Sequence, residues 1–413
     1  MKTELVPALK SAEPGQTKRH RVIGRNVTVV AQIAMSLVLL VLTAGLLDGF
    51  RKLLVTAPGF RIEHLATVSL DTSIVRYTPN QTREFYRNLM ERARGLPGVT
   101  SVALTSRIPL VRGVDVSGVS PEGYQFEPGR ERVAVFSAVV DEHYFETMNI
   151  AILRGRAFTS DDKDSSRRVV IVNEEFGKLY WPNQDPIGRR VRLDDKQDSW
   201  LEVVGVTKTG KYLFVAEPPT PFLYLPFAQH DRTALTLLTR TTGADPASLF
   251  APLRDAVRDL EVNLPVLNAQ TLASIYERRA IEIPWRVFQL VGTMGLIGLV
   301  LALVGLYGLV AYSVARQTRE IGIRVAIGAT RTNVLMMVLG QGLLLSVAGL
   351  AVGGILSVAV ARLLSAGMVG LGAPNPAVYV VVALMLLGLT MAATYVPAHR
   401  ASRVDPLRAL RYE

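Results

Sequence analysis

Four stretches of this chain stay uncharged for longer than a globular helix needs: Val27–Leu47, Val287–Val314, Thr332–Ala361 and Ala377–Val396. The first has 21 residues, or about 31 Å as a helix at about 1.5 Å per residue, which matches a bilayer core of about 30 Å. A secretory signal peptide is the competing reading of that first run, but its apolar region is usually only about 7–15 residues. The pattern therefore predicts transmembrane helices at 27–48, 286–314, 332–362 and 377–397.

Between the first two runs the periodicity changes. "ATVSL", "VTSVAL", "VAVFSAVV", "RVVIVN", "LEVVGV" and "LTLLTR" are rich in β-branched residues and predict strands. Thr82–Arg94, Glu174–Trp181 and Pro246–Leu260 predict helices, the last behind the N-cap Asp245. The expectation is an α-helical membrane protein with four transmembrane helices and a large α+β extracytoplasmic domain, 49–285, between helices 1 and 2. That domain is expected to have two lobes, the second at about 152–229.

Composition sharpens this picture through the placement of charge. The chain has 413 residues, is 49% hydrophobic and carries a net charge of +11. Residues 1–26, Ser313–Asn333 and Ala398–Glu413 hold six, four and four Lys or Arg against five acids in all, whereas Asp48–Arg286 is nearly balanced. A surplus confined to short flanks of apolar runs is a topology signal, not a nucleic-acid face. With the basic segments on one side, 1–26, 315–331 and 398–413 are cytoplasmic, and 49–285 and the loop Ala366–Pro376, which has no Lys or Arg, are external. The protein is thus expected to be a multi-pass membrane protein with both termini in the cytoplasm.

Candidate chemistry is sparse. There is no cysteine, and the five histidines (His20, His64, His143, His230, His399) lack zinc-ligand spacing. Gly205–Lys211 approaches a phosphate-binding loop, but Tyr212 stands where Ser or Thr should bind magnesium, and "LFVAEPPTP" is no helix. Asp161, Asp162 and Asp164 lack the calcium-loop pattern and read as a solvated turn. No catalytic residue, metal site or cofactor site is expected, and any ATP would be bound by another subunit. The spans hold no ionisable residue near a helix centre, which disfavours ion-coupled transport. They hold many glycines instead: Gly292, Gly295, Gly298, Gly305 and Gly308 in the second, Gly349 and Gly353 in the third, as close helix packing needs.

The segment "RQTREIGIRVAIGATRTNVL", between the second and third runs, is the main functional candidate. Helical spacing puts Ile321, Val325 and Ala329 on one side, with Arg324 and Arg331 elsewhere; Gly328 can end a helix and Thr330 can start the next. A short amphipathic helix across the cytoplasmic membrane surface is expected, acting either as an interfacial anchor or as a knob for a cytoplasmic partner.

At this point the chain resembles the permease subunits of ABC transporters of the MacB/FtsX-like class, with a MacB-type periplasmic core domain. The resemblance is carried by "RQTREIGIRVAIGATRTNV", by "PAHRASRVDPLRALRYE" at the C-terminus, and by "DEHYFETMNIAILRGRAFTSDD", "VVIVNEEFGKLYWPNQDPIGRRVRL" and "PPTPFLYLPFAQ" in the domain. It implies a non-enzymatic subunit that relays ATP-driven motion of a separate cytoplasmic ATPase dimer to its external domain, for efflux of a substrate from the periplasmic side. It further implies a second permease half or a homodimer, a periplasmic adaptor and membrane lipids as partners, with no nucleic acid. By position, the coupling residues would be Arg319, Glu320, Ile321, Gly322, Arg324, Val325, Ala326, Gly328 and Ala329. The alternatives are an FtsX-like or lipoprotein-releasing mechanotransmitter and, from another class, a membrane sensor receptor, for which the cytoplasmic pieces are short. The opening "TELVPALKSAEP" echoes the closing "SRVDPLRALRYE", as expected of the second half of a duplicated permease.

Overall fold

The computed structural model describes residues 16–55, 58–111, 115–129, 131–194, 200–213, 217–243, 245–367 and 375–403. Most of the expected basic N-terminal segment, most of the loop between the last two spans, and the tail after Arg403, including all of the terminal echo but Ser402 and Arg403, lie outside the described residues.

In chain order the elements begin with α1 (Gln16–Val55), β1 (Leu65–Asp71), α2 (Pro79–Arg94), β2 (Val99–Thr105), β3 (Asp115–Pro121) and β4 (Val133–Val140). Next come α3 (Tyr144–Met148), β5 (Ile152–Gly155), β6 (Val169–Asn173), α4 (Glu174–Tyr180), β7 (Arg190–Leu193), β8 (Trp200–Thr207), β9 (Phe222–Pro226) and β10 (Ala234–Thr241). A 3-10 turn, Pro246–Leu249, leads into α5 (Phe250–Leu260), followed by β11 (Asn268–Thr271), α6 (Leu272–Tyr276) and a π-helical turn, Glu277–Glu282. Three long helices close the chain: α7 (Ile283–Ala326), α8 (Arg331–Gly367) and α9 (Pro376–Ala401).

The chain forms two compact units, Lys52–Pro284 and the helical remainder. Four helices are long and apolar enough to cross a membrane, within Asn26–Arg51, Leu272–Thr318, Arg331–Leu363 and Pro376–Ala401. The protein is therefore a multi-pass membrane protein with a large α/β domain between its first and second spans.

In that interspan domain the described strands form one sheet in the order β11-β1-β10-β2-β4-β3-β7-β8-β6-β9, with β5 on β8. All six strands and all three helices expected from the sequence are present. The sheet has two parts. The antiparallel set β11-β1-β10-β2 carries α2 and α5, and Tyr86, Leu89, Leu104, Leu237 and Leu253 fill the space between them. In the second part, β3 pairs with β4 and β7, and β4 and β9 run parallel. Thr105↔Val140 is the only register pair between β2 and β4. This second part of the sheet thus takes in β3 and β4 as well as the strands β5 to β9. Its first strand, "DVSGVSP", was not legible because its small polar residues are held by neighbours on both sides rather than by an apolar run of their own.

In the helical unit α1 lies against both α7 and α8. A Cβ on Gly305 would stand 2.6 Å from Gln32 Oε1, and one on Gly298 would meet Ser36 Oγ at 3.3 Å and one on Gly295 Leu39 Cβ at 3.4 Å. On the other side, a Cβ on Gly349 would lie 2.7 Å from Ile33 Cβ, and one on Gly353 2.8 Å from Ala34 Cα. Real Cβ atoms do not come within 3.0 Å of such fixed neighbours, so Gly349 and Gly353 set the separation of α1 from α8. Gly295 and Gly298 lie in tight or ordinary contact with α1, while Gly305 faces the movable end of Gln32.

Candidate functional site

The charged segment after the second run is not a separate helix. α7 continues without a break from Ile283 to Ala326, about 66 Å at about 1.5 Å per residue. The reason is local: Ser313–Ile321 contains neither glycine nor proline, and the Arg324 guanidinium donates to Glu320 Oε1 at 2.6 Å, one turn back. The helix stops where glycine allows it. Gly328 has φ +107° and its N–H bonds Val325 O at 3.0 Å, while Ala329 N–H bonds Arg324 O at 2.9 Å. Thr330 then caps α8, its hydroxyl accepting from Asn333 N at 3.3 Å. Gly328 and Thr330 thus occupy the two boundary positions read from the sequence.

The facing of this segment differs from the expectation. Ile321 is only 1% exposed and belongs to an apolar cluster with Val29, Leu306, Val334 and Ala398, against which Val325 packs. Gly322 is also buried. The side carrying Ile321 and Val325 therefore closes the end of the helical unit and leaves nothing there for a partner's groove. The open face is the opposite one: Glu320, Ile323, Arg324, Ala326 and Ile327 are exposed, Ile327 by 81%. Ala329 is half-buried. Ile323 and Ile327 sit one turn apart with the Glu320–Arg324 pair beside them, an apolar knob with a charged edge.

Two look-alike sites in the interspan domain resolve into structure. Where a phosphate loop would use a hydroxyl, Tyr212 is buried and stacked on Phe222 with centroids 3.8 Å apart. Lys211 gives its ammonium to the backbone carbonyl of Glu217, and the Glu217 carboxylate accepts from the amides of Tyr212 and Leu213. The loop is thus committed to its own chain. The acidic run is not simply a solvated turn either. Asp162 is 5% exposed and holds Arg156 through two bonds of 2.7 and 2.9 Å, with the Thr159 amide at 2.9 Å. Burial alone would raise its pKa, but the guanidinium and the amide together hold it below the usual carboxylate value. Among the described residues no cluster could hold a metal ion.

The residues that matter most to this domain were not singled out from the sequence. Asn173, fully buried, caps α4 by accepting from Phe176 N at 2.9 Å and also accepts from Phe222 N at 3.0 Å. Its amide donates to Thr220 O at 2.7 Å. Asp141, beside the single β2–β4 pair, continues the ladder: its N–H bonds Leu104 O and its Oδ1 accepts from Leu104 N at 2.9 Å. Arg83 on α2 reaches Asp231 at 2.7 Å and Asp164 at 3.7 Å. Asn at the end of a strand and before two glutamates is a cap signal that could have marked Asn173.

Comparison with known proteins gives this architecture relatives. Residues 27–259 match the MacB-like periplasmic core domain, and residues 292–406 match the FtsX-like permease C-terminal region. An ABC transporter permease of Bacillus subtilis, YknZ, is 28% identical over 285 residues, 66% of this chain and 69% of that protein. The macrolide export ATP-binding/permease protein MacB of Neisseria gonorrhoeae is 25% identical over 285 residues, and there the match spans only 42% of the relative's length. Among solved structures, the periplasmic region of MacB from Actinobacillus actinomycetemcomitans is 16% identical, with 55% of this chain and 97% of that one covered at a TM-score of 0.38. The extracellular domain of YknZ from Gram-positive bacteria is likewise 16% identical, with 49% of this chain and 100% of that one covered at a TM-score of 0.33.

Proposed function

Because the chain belongs to the ABC transporter permeases that join a MacB-like periplasmic core domain to an FtsX-like C-terminal region, we propose that it is the membrane subunit through which a separate cytoplasmic ATPase drives the interspan domain. Permeases of this family work with such an ATPase. The observation that carries the reading is the open face at the end of α7, Glu320, Ile323, Arg324 and Ile327. It sits on a helix that runs unbroken from the second span, so a push there is delivered along a rigid rod. The ATPase, a dimer, binds the ATP, and this chain itself catalyses nothing. The chain pairs with a second copy or a second permease half in a bacterial inner membrane, with the α7–α8 turn and both termini in the cytoplasm and the interspan domain outside. Efflux from the periplasmic side, with a periplasmic adaptor, is supported by the relatives named for macrolide export.

The test is association. Exposed apolar anchors of such contacts cost about 2 kcal/mol or more on truncation, and rim charges less. Ile327→Asp should leave membrane insertion intact and abolish co-purification of the ATPase that accompanies the wild-type protein from its native membrane. Arg324→Ala should weaken it, more so at high salt. Ile321→Asp, by contrast, should disrupt the helical unit itself, since it buries a charge beside Val29 and Leu306. Unchanged ATPase recovery with Ile327→Asp would return the segment to a plain interfacial anchor.

A further inference from the structure

The interspan domain holds a cavity of about 270 Å³ that the proposed coupling does not use. It lies among β1, the segment 106–111 after β2, β10, β11, α6 and the turn Glu277–Glu282 that runs into α7. Its lining divides by chemistry. Ile108, Val111, Leu235 and Ile275 form an apolar side. Most of the polar lining groups already have partners: Ser69 and Thr236 share a hydroxyl bond of 2.9 Å, Ser106 donates to Asp115, and Gln270 donates to Asn268. Arg107 is also committed, with Nη2 2.8 Å from Asp115 Oδ1.

Arg278 and Arg279 are different. Both line the cavity from the π-helical turn, one exposed and one half-buried. Among the described residues no ion pair joins either guanidinium to a carboxylate. Two adjacent guanidiniums without an ion-pair partner among the described residues, lining a cavity with Ile108, Val111 and Ile275, match a ligand with one anionic group and a short apolar portion. The volume is slightly below the range of about 300–1,000 Å³ usual for drug-sized ligands. A headgroup with its first few carbons fits it, and a large macrocycle does not.

We propose that this cavity binds the anionic head of an amphiphile, its charge held by Arg278 and Arg279 and its first methylenes lying against Ile108, Val111 and Ile275. The assignment does not depend on coupling to an ATPase, because binding is read without nucleotide. The head could belong to a membrane lipid or to a free amphiphile, and the chemistry is shared.

The full chain, purified in a maltoside detergent, is titrated calorimetrically with hexyl phosphate and, separately, with inorganic phosphate. Hexyl phosphate should bind at least tenfold more tightly. The double change Arg278→Ala with Arg279→Ala should lose at least tenfold for hexyl phosphate, while Lys at both positions should recover part of it. Val111→Trp, which fills the apolar side and leaves both arginines in place, should also lose at least tenfold, and thermal unfolding of each variant checks that it is folded. Equal binding by the double alanine variant, or equal affinity for inorganic phosphate, overturns the proposal. Repeating the titration in nanodiscs separates the sources. Competition by phosphatidylglycerol but not by phosphatidylcholine assigns the site to a lipid, and identical curves in both assign it to a free amphiphile.

Discussion

The interspan domain and the helical unit satisfy their buried polar groups in opposite ways. In the domain, side chains tie distant segments together. Asn173 joins β6, α4, the start of β9 and the loop before it, and Gln229 binds Val169 N, Lys163 O and Arg167 O. In the helical unit the hydroxyls turn back on their own helix: Ser36 to Gln32 O, Ser346 to Gly342 O and Ser357 to Gly353 O, each four residues earlier. A helix in lipid must satisfy its polar groups largely within itself, so these three hydroxyls specify no neighbour, whereas Ser313 on α7 reaches Gln341 Oε1 on α8 at 3.4 Å. Specificity between helices falls to shape, and here glycines supply it. The two units should therefore break by different kinds of substitution.

The largest contrast is between two polar deletions. Asn173→Ala leaves the amides of Phe176 and Phe222 without their acceptor inside a buried site, at about 1–3 kcal/mol for each unsatisfied group. It should cost about 3 kcal/mol or more and leave the domain largely sensitive to limited proteolysis. Ser357→Ala removes a hydroxyl that is just as buried but bonded only within α8, and it should change the thermal midpoint of the protein in nanodiscs by less than about 0.5 kcal/mol equivalent. Similar losses for both would remove the distinction between the units.

Shape should reverse that order. Gly353→Val places two methyls and a Cβ against Ala34, whose Cα would already be 2.8 Å from the Cβ alone. Overpacking of this kind costs about 1–3 kcal/mol, and with backbone as the obstacle about 2 kcal/mol is expected. Thermal unfolding in nanodiscs reads it, with Gly354→Val as control, because nothing lies within 4 Å of a Cβ there. If the two variants unfold alike, close approach of α1 and α8 is not what holds them.

Much of this architecture was legible because it rests on runs of one character. The spans followed from length and absence of charge, and strands such as "VVIVN" from β-branched residues that are buried throughout. β7 ("RVRL") and β11 ("NAQT") were not legible, since they are short and take their place from the strands beside them. At the α7–α8 turn, Gly328 and Thr330 carried their own conformational signal. The facing did not, because the segment has apolar residues on two sides, Ile321 with Val325 and Ile323 with Ile327. Periodicity finds both sides, but which one the helical unit covers is decided by Val334 across the turn and by Val29 and Ala398, both far away in sequence. Asn173 was not singled out for a similar reason: three of its four bonds reach beyond α4, to the segment 212–222.

The last effect is expected at the seam between the two parts of the sheet, and it depends on pH. Asp141 is 5% exposed, and its Oδ2 has no hydrogen-bond partner among the described residues. Burial pushes its pKa up to about 8, with the neighbouring Glu142 adding to the rise and the Leu104 amide and Arg94 opposing it. The native protein therefore keeps a proton that the unfolded chain releases near 3.8. Between these values the folded state binds more protons, so stability falls as pH rises, and the contribution is lost completely once pH passes about 8. Asp141→Asn is neutral at every pH and keeps an oxygen for Leu104 N. Its second amide hydrogen finds no more partners than Oδ2 does now, so the variant carries an unmet polar group at every pH and is relieved only of the cost of ionising in a buried site. The variant should match the wild type near pH 4, gain steadily above it, and hold a constant advantage beyond pH 8 in thermal unfolding. A gain independent of pH would mean that the carboxyl is not protonated in the folded seam. A loss at every pH would mean that the β2–β4 junction needs the charge that burial was argued to remove.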